Sequence, residues 1–302
     1  MKNKKHYPLI TGTQNIKGFS LIEFLVASAL SMIVLVAVSK GYFTARQLNS
    51  AADSRMSTQQ DLRNAANMVV RDARMAGSFG CFSMAEGNSN QTITDNNAAT
   101  SKSDVFKLEN TAGNMGVVRQ ITFSATGFTA TSDALVFLYG AEYAKDKDGK
   151  PVINGEPSVL STCDTVVRPA GDAKADVDKE ETALKAGARG NEVSVLRYTV
   201  NAYVTGSIGG QTGLFRFQLN GNTWGSPQLL VSDVTGAAFR YMYVNNCPDG
   251  EGNTETFQYS NNLNGIPAFV RISLTGAKNP NQIYTIDAAI RGGNTCANRS
   301  LS

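Results

Sequence analysis

Glu23 is the residue whose setting in this chain points most directly to chemistry. It is the one charged residue in the apolar run of residues 19–38, which contains neither Gly nor Pro. Such a run is long enough to cross a bilayer as a helix, and a carboxylate inside it is costly enough to indicate a function. Glu23 lies about one helical turn inside the run. We therefore expect it to pair with a positive group near the boundary.

Histidine chemistry is confined to the start of the chain. His6 is the only histidine, and residues 1–18 also hold four lysines and no acid: Lys2, Lys4, Lys5 and Lys17. A product without these residues would have no imidazole base and no His-ligated zinc. Loss of the four lysines would change the net charge from +3 to −1. No cluster of basic and aromatic residues indicates nucleic-acid binding. We expect no enzyme activity and no cofactor.

The four cysteines are an even number in a region that we expect to lie outside the cytoplasm, where disulfides persist. They are Cys81, Cys163, Cys247 and Cys296. None of them forms the short C-x-x-C pair that is typical of a zinc site. Three pairings are open. We favour Cys81–Cys163, which would tie the segment after a predicted helix to a strand, and Cys247–Cys296, which would hold the last segment to the preceding lobe.

Two acidic turns carry some of the ligands that calcium prefers. Residues 146–149 read Asp-Lys-Asp-Gly, and residues 249–255 alternate oxygen-bearing side chains with other residues. Calcium takes six to eight oxygens, and neither stretch has the complete loop with a closing Glu at position twelve. Exposed Asp-Gly turns are common without an ion. No metal site is predicted.

The order of basic and apolar residues differs from that of an ordinary secretory signal. In such a signal the apolar region precedes the cleavage site and is removed. Here the basic residues 1–18 come first, so a cut after Gly18 would leave the apolar run on the product. Since Lys and Arg stay on the cytoplasmic side, we expect an N-in, C-out orientation with most of the chain outside the cytoplasm.

Residues 18–23, which read Gly-Phe-Ser-Leu-Ile-Glu, resemble the prepilin peptidase signature of type IV pilins and type II secretion pseudopilins. The resemblance implies cleavage between Gly18 and Phe19 and methylation of the new terminus to N-methylphenylalanine. It also implies that Glu23 is the assembly glutamate, whose carboxylate pairs with the terminal amine of a neighbouring subunit.

Two other interpretations of the N-terminus compete. Residues 27–29, Ala-Ser-Ala, have the pattern of a signal peptidase site, but a cut there would leave the apolar residues 32–38 as the new terminus. It would also give Glu23 no role. The second alternative is a plain membrane anchor that never enters a filament.

Helical periodicity continues beyond the apolar run. Apolar residues recur at spacings close to three, four or seven, as one face of a helix requires: Leu48, Ala52, Met56, Leu62, Ala66, Val69, Ala73 and Ala76. Gly41 is a candidate site for a bend, and Gly77 is a plausible helix stop. We predict one helix over residues 19–76 with the transmembrane segment at 19–38, following a leader at 1–18.

Residues 77–302 have the composition of a β-rich head. Runs rich in β-branched and aromatic residues predict strands at 134–139, 159–167, 193–204, 214–219, 228–231, 237–244, 268–274 and 283–290. Residues 83–103 are expected to be a loop, and the charged residues 172–189 a loop or short surface helix. The predicted fold class is α+β and type IV pilin-like: a long N-terminal helix packed on an antiparallel β-sheet head with disulfides.

The order of the strand motifs at 194–198, 214–217, 229–234, 269–274 and 284–291 is similar to that of the PilW/PilJ family of minor pilins. This resemblance implies a core minor pilin that co-assembles with other minor pilins, primes type IV pilus assembly and caps the pilus tip. The implied partners are the other minor pilins, the major pilin, the prepilin peptidase, the inner-membrane assembly platform and a tip adhesin.

The family also implies a location, and two alternative functions stay open. The chain would be a bacterial inner-membrane prepilin first and a component of the pilus or the periplasm later. A type II secretion minor pseudopilin is the alternative function, and a membrane-anchored envelope enzyme is the third.

Overall fold

The computed structural model describes residues 18–82, 92–97, 107–108, 116–187, 192–221, 223–245, 256–277 and 283–291. The chain divides into two compact units, Met1–Ser57 and Thr58–Ser302. The long helix α1 (Leu21–Met75) contributes residues to both units. It is the helix predicted over residues 19–76.

In the first unit, α1 forms from a sequence without a helix breaker before Gly41. The amide of Phe24 donates to the carbonyl of Ser20 at 3.1 Å, which closes the first turn. The helix continues through Gly41, the candidate site for a bend. Its N-terminal part is long and apolar enough to cross a membrane, and none of the most apolar window is buried within the chain.

In the second unit, α1 ends where the sequence predicted a stop. Gly77 has a φ of 74°, a left-handed conformation that glycine adopts without steric cost. Its amide donates to the carbonyl of Leu138 at 2.9 Å. The end of the helix is therefore joined directly to the sheet.

The described residues of the second unit form two sheets. The first has ten strands: β1 (Thr92–Asp95), β2 (Val118–Ile121), β3 (Thr129–Ala130), β4 (Ala134–Glu142), β5 (Ser158–Ser161), β6 (Thr165–Arg168), β7 (Ser194–Ile208), β8 (Gln211–Asn220), β9 (Thr223–Trp224) and β10 (Gln228–Ser232). The second has four: β11 (Val234–Asn245), β12 (Thr256–Ser260), β13 (Phe269–Gly276) and β14 (Ile283–Ala289). The short helix α2 (Lys174–Gly187) lies between β6 and β7 along the chain.

Strand β7 is the centre of the first sheet. It has fifteen residues. They pair with β5 and β8 along one edge and with β4 and β3 along the other. All four pairings are antiparallel, as predicted. One pair elsewhere in the sheet differs, because β1 runs parallel to β6, with Thr92 opposite Thr165.

The amphipathic end of α1 packs with small side chains. Ala65, Val69, Ala73 and Ala76 are buried in the same apolar core as the strand residues. Alanine allows a helix backbone to lie close to a sheet, because its side chain ends at Cβ. The predicted stripe is thus confirmed at its C-terminal end, whereas Leu48 and Met56, in the first unit, are exposed.

Two secondary-structure predictions were wrong, and the choice between a loop and a helix at a third segment is settled. The strand predicted over 159–167 is two strands, β5 and β6, because Thr162 makes a turn: its hydroxyl accepts from the Thr165 amide at 3.0 Å and donates to Asp164 at 2.6 Å. The loop predicted over 83–103 contains β1, which gains backbone partners from β6. Residues 172–189, predicted as a loop or a short helix, contain α2.

The second sheet has the order β12-β11-β13-β14, and all its pairs are antiparallel. Alternate side chains face the core, as the period of two in a strand requires. The buried set includes Tyr241, Val270, Ile272 and Leu274.

A disulfide joins Cys81, just after α1, to Cys163, in the turn between β5 and β6. This is the pairing that we favoured for these two cysteines. Cys247 and Cys296 lie outside the described residues, so their pairing stays a prediction.

The Cys81–Cys163 bridge is expected to stabilise the head by restricting the unfolded chain. The cysteines are 82 residues apart; a disulfide typically contributes about 2–4 kcal/mol, with longer loops at the upper end of the range. We predict that the Cys81→Ser, Cys163→Ser double variant loses about this much free energy of unfolding, measured by urea denaturation in detergent. The matched control is the same variant compared with the wild type under reducing conditions, where the difference should vanish. A difference that persists after reduction would assign the loss to packing instead.

Candidate functional site

Gly18, Phe19 and Ser20 precede α1 without regular structure, and all three are exposed. The Phe19 side chain is 82% exposed. The peptide bond between Gly18 and Phe19 is therefore accessible within this chain. A peptidase that cleaves an extended substrate segment requires this accessibility.

Nothing within the fold explains a glycine at position 18. A Cβ added there would meet no atom of the chain within 4 Å, and the residue is not among the glycines with a positive φ. The smallest side chain at this position is therefore not required by packing or by backbone conformation. It is compatible with a requirement set by another molecule that approaches the backbone closely.

Glu23 belongs to the first turn of α1 and interacts with the start of the helix. The amide of Ser20 donates to Glu23 Oε2 at 3.0 Å. This is one half of a capping box, in which the acid three residues after the N-cap satisfies an amide that the helix leaves without a partner. The negative charge also lies at the positive end of the helix dipole. Local physics therefore favours a carboxylate at this position.

The capping bond leaves Glu23 available to another chain. Its side chain is exposed, and it forms no salt bridge with any residue that the structure describes. The neighbouring side chains are apolar and exposed, including Ile22, Phe24 and Leu25. Once a bilayer or other helices cover this apolar surface, the local dielectric constant falls and pairing of the carboxylate with an amine becomes stronger.

The first acidic turn has a structural use for its carboxylate. Asp146 Oδ1 accepts from the amides of Asp148 at 2.9 Å and Lys150 at 2.8 Å. The Asp146 carboxylate thus stabilises the turn itself. Among the described residues, no group of three or more His, Cys, Asp or Glu could hold a metal ion. The second acidic stretch, at 249–255, lies outside the described residues.

A second cluster, which the sequence analysis missed, surrounds Asp72. This residue lies near the C-terminal end of α1 and is completely buried. It is three residues after Val69 and four before Ala76, so it belongs to the helix face that packs on the sheet. A carboxylate in such a position needs several hydrogen bonds to remain there.

The first sheet supplies those hydrogen bonds. Asp72 Oδ2 accepts three hydrogen bonds: from the Tyr203 hydroxyl at 2.6 Å, from the side-chain Nδ2 of Asn201 at 2.9 Å and from Arg216 Nε at 3.1 Å. Asp72 Oδ1 accepts from the Tyr139 hydroxyl at 3.0 Å. These donors come from β4, β7 and β8. The pairing of β7 with β8 sets Tyr203 directly opposite Arg216.

Two further contacts complete the network. Asn201 Nδ2 also donates to the Tyr139 hydroxyl at 3.0 Å. Arg71, the preceding helix residue, forms a salt bridge with Asp72 at 3.2 Å from an exposed position. The charge of Asp72 is therefore compensated by Arg216 on the inside and by Arg71 at the surface. A buried ion pair of this kind is weak evidence for net stability, but removing one partner alone is strongly destabilising.

The network affects the titration of its tyrosines. Burial raises the pKa of Tyr139 to about 12, and the negative charge of Asp72 adds to this effect. The same two causes raise the pKa of Tyr203. Both hydroxyls therefore stay protonated and continue to donate to Asp72 at neutral pH. A signal for the site was present in the sequence: an acid at the helical spacing of the apolar stripe.

The comparisons with known proteins concern the N-terminal segment. The model of the prokaryotic N-terminal methylation motif matches residues 13–39, which include Gly18, Phe19, Glu23 and the apolar run. No curated protein and no solved structure matches this chain. The match supports a type IV pilin-like prepilin, that is, a protein of the pilin or pseudopilin kind. It is consistent with membrane anchoring through the apolar part of α1.

Removing Asp72 alone should strongly destabilise the second unit. We predict that Asp72→Ala lowers the free energy of unfolding by about 3–5 kcal/mol, because it leaves buried donors and the Arg216 charge without their acceptor. Urea denaturation of the full chain in detergent measures the loss. Asp53→Ala, which changes an exposed acid on the same helix, is the matched control and should change stability by less than about 0.5 kcal/mol. Equal losses for the two variants would contradict the role of the network.

Stability should also fall at alkaline pH. The pKa of Tyr139 is 10.0 in its ordinary state and about 12 in the fold, so its contribution is complete below pH 10 and is lost as pH rises towards 12 and beyond. We predict that Tyr139→Phe flattens the decline in unfolding free energy across this range, although it is less stable at neutral pH. Tyr42→Phe, which changes an exposed ring, should leave the slope unchanged. An unaltered slope in Tyr139→Phe would show that this hydroxyl does not titrate as described.

Proposed function

We propose that this chain is a core minor pilin of the PilW/PilJ family. It is synthesised as an inner-membrane prepilin, cleaved between Gly18 and Phe19 and methylated on Phe19. It then co-assembles with other minor pilins, primes type IV pilus assembly and caps the pilus tip. Residues 77–302 form its extracytoplasmic head, in which Cys247 and Cys296 form a second disulfide.

The observation that carries this proposal is an exposed apolar helical segment that follows Gly18 and lies within the stretch matched by the methylation motif. The large apolar side chains between Phe19 and Val38 are exposed within the described chain. So much apolar surface requires a bilayer or a bundle of similar helices to cover it. A prepilin uses both in succession, first the membrane and then the filament.

Glu23 supports assembly rather than simple anchoring. A plain anchor gains nothing from a carboxylate in its apolar segment, which costs about 2.5–3.5 kcal/mol at the centre of a span and less near its boundary. In a bundle, the same carboxylate pairs with the methylated amine of Phe19 in a neighbouring subunit. Because each subunit supplies one acid and one amine, the pairing also sets the axial register between helices.

The size of the head supports a minor subunit. The region after α1 builds two sheets, and the apolar segment lacks the Gly and Pro that interrupt the tail of many major pilins. A large head fits a subunit that occupies the end of a filament, where no further subunit must pack above it. The work of such a protein is association, and the family's partners are other minor pilins, the major pilin, the assembly platform and a tip adhesin.

A type II secretion minor pseudopilin would use the same N-terminal helix, so the deciding experiment is genetic. We expect that deletion of the gene abolishes or sharply reduces piliation and leaves protein secretion intact. The intact precursor should co-purify with other pilin-like proteins of the same cell. Loss of secretion with normal piliation would favour the pseudopilin instead, and an unchanged piliation phenotype would remove the minor-pilin proposal.

Gly18 should be required for processing and not for folding. We predict that Gly18→Ser leaves the full-length precursor on a gel, since the peptidase must approach the backbone at this position. Gly41→Ser is the matched control, because a Cβ at Gly41 also meets no atom within 4 Å. It should be processed normally. Normal cleavage of Gly18→Ser would contradict the assigned cleavage site.

Glu23 should be required for assembly and not for processing. We predict that Glu23→Val and Glu23→Gln are inserted and cleaved normally, while piliation falls strongly in both. Gln keeps an oxygen for the Ser20 amide but lacks the charge, so the second variant separates the capping bond from ion pairing. Piliation is scored by electron microscopy in a strain whose filaments depend on this subunit. Normal piliation of Glu23→Gln would remove the pairing role.

A further inference from the structure

The outer face of the second sheet carries an aromatic surface that the core of the protein does not use. Directly paired residues of neighbouring strands share a face, and the pairs Met242–Tyr259, Met242–Phe269, Arg240–Arg271 and Arg271–Asp287 lie on this one. Phe257, Tyr259 and Phe269 are 57%, 53% and 40% exposed. Large aromatic rings that stay exposed beside a complete core indicate an interaction surface.

Strand register organises this face into two parallel rows. In the apolar row, Met242 of β11 lies opposite Tyr259 on one side and Phe269 on the other. In the polar row, Arg240 lies opposite Arg271, which in turn lies opposite Asp287. The two rows border a cleft of about 260 Å³, which these six residues line.

The polar row has an excess of positive charge. Arg271 and Asp287 neutralise each other through two parallel hydrogen bonds, of 2.6 Å from Nε to Oδ1 and 2.8 Å from Nη2 to Oδ2. The Arg240 guanidinium lies over the Tyr259 ring, 5.5 Å from its centroid. Among the residues that the structure describes, no carboxylate forms a salt bridge with Arg240. The cleft therefore has an aromatic floor and one positive charge that a partner can compensate.

These features indicate which kind of partner can bind this face. Aromatic residues and Arg are enriched in the centres of protein interfaces, and an unopposed guanidinium favours a carboxylate from the partner. A second copy of the same face would bring a second excess arginine, and like charges at an interface are unfavourable. The occupant is therefore a different protein with an apolar side chain next to an Asp or Glu.

We propose that this aromatic face docks the head of a different pilin-like subunit. The partner places an apolar side chain between Tyr259 and Phe269 and a carboxylate against Arg240. The identity of the partner as a pilin-like protein rests on the proposed function. The location and the chemistry of the surface rest on the sheet itself.

Site-specific photo-crosslinking of the full-length protein in its native cells tests this proposal. A photoreactive phenylalanine derivative replaces Tyr259, which keeps a ring at the site. The same derivative at Lys179, an exposed position on α2, is the control. We expect an adduct at position 259 with another protein that carries an N-terminal methylation motif, and at least about tenfold less of it at position 179.

Charge variants make the test specific. Arg240→Glu should reduce the adduct by about tenfold or more, the scale of a close interfacial charge pair, whereas Arg240→Lys should retain most of it. An adduct with a second copy, with lipid alone or with a protein outside the pilin-like class overturns the proposal. So does an adduct that Arg240→Glu leaves unchanged, or none above the control position.

The outcome is separable from that of the proposed function. Leader cleavage and the piliation phenotype of the deletion are scored in the same strain. If deletion abolishes piliation but position 259 gives no specific adduct, the docking surface alone is wrong. If deletion leaves piliation unchanged, the proposed function is wrong, whatever the crosslinking shows.

Discussion

The hydrogen bonds of Asp72 determine how the amphipathic end of α1 packs on the sheet. Their donors come from three strands. Tyr139, Asn201, Tyr203 and Arg216 all converge on this one side chain. A helix shifted by one residue turns by about 100°, which would remove the carboxylate from all of them. The apolar contacts of the buried alanines and valine on the same face are less selective, because such small side chains pack acceptably in several registers. The polar network thus selects one packing from among those that burial alone permits.

Glu23 and Asp72, two of the four acids of α1, have opposite environments. Asp72 is buried and satisfied within the chain, so it acts on the structure of the head. Glu23 is exposed, with a single hydrogen bond from Ser20, in the midst of apolar side chains that the chain itself leaves uncovered. Its chemistry is therefore directed outward. One helix thus carries a carboxylate that is satisfied within the chain near one end and, near the other, the exposed carboxylate of the proposed intermolecular contact.

Much of the fold was predictable from periodicity and local signals. The helix bounds followed from an apolar run, a continuing stripe and Gly77, and the longer strands followed from β-branched and aromatic runs along β4, β7, β8 and β13. The division of residues 159–167 was not predictable, since it depends on side-chain hydrogen bonds of Thr162 in an otherwise β-like sequence. Strand β1 was missed because it is short, three of its four residues are polar, and its partner β6 is distant along the chain.

The N-terminal motif and the Asp72 cluster were predictable to different extents. Gly18, Phe19 and Glu23 form a short contiguous motif, and the match to residues 13–39 supports that interpretation. The Asp72 donors lie 67 to 144 residues away along the chain, so no local pattern could reveal them.

The bridge between Cys81 and Cys163 has a mechanical consequence. Tension applied to α1, which ends at Met75, is transmitted along the chain to Cys81. From there it passes through the disulfide to Cys163. The covalent path bypasses everything between the two cysteines, including β1 to β5. Those strands cannot be extended by tension, even if their hydrogen bonds break. Under load, such a subunit would lengthen only through segments outside the stretch between these two cysteines.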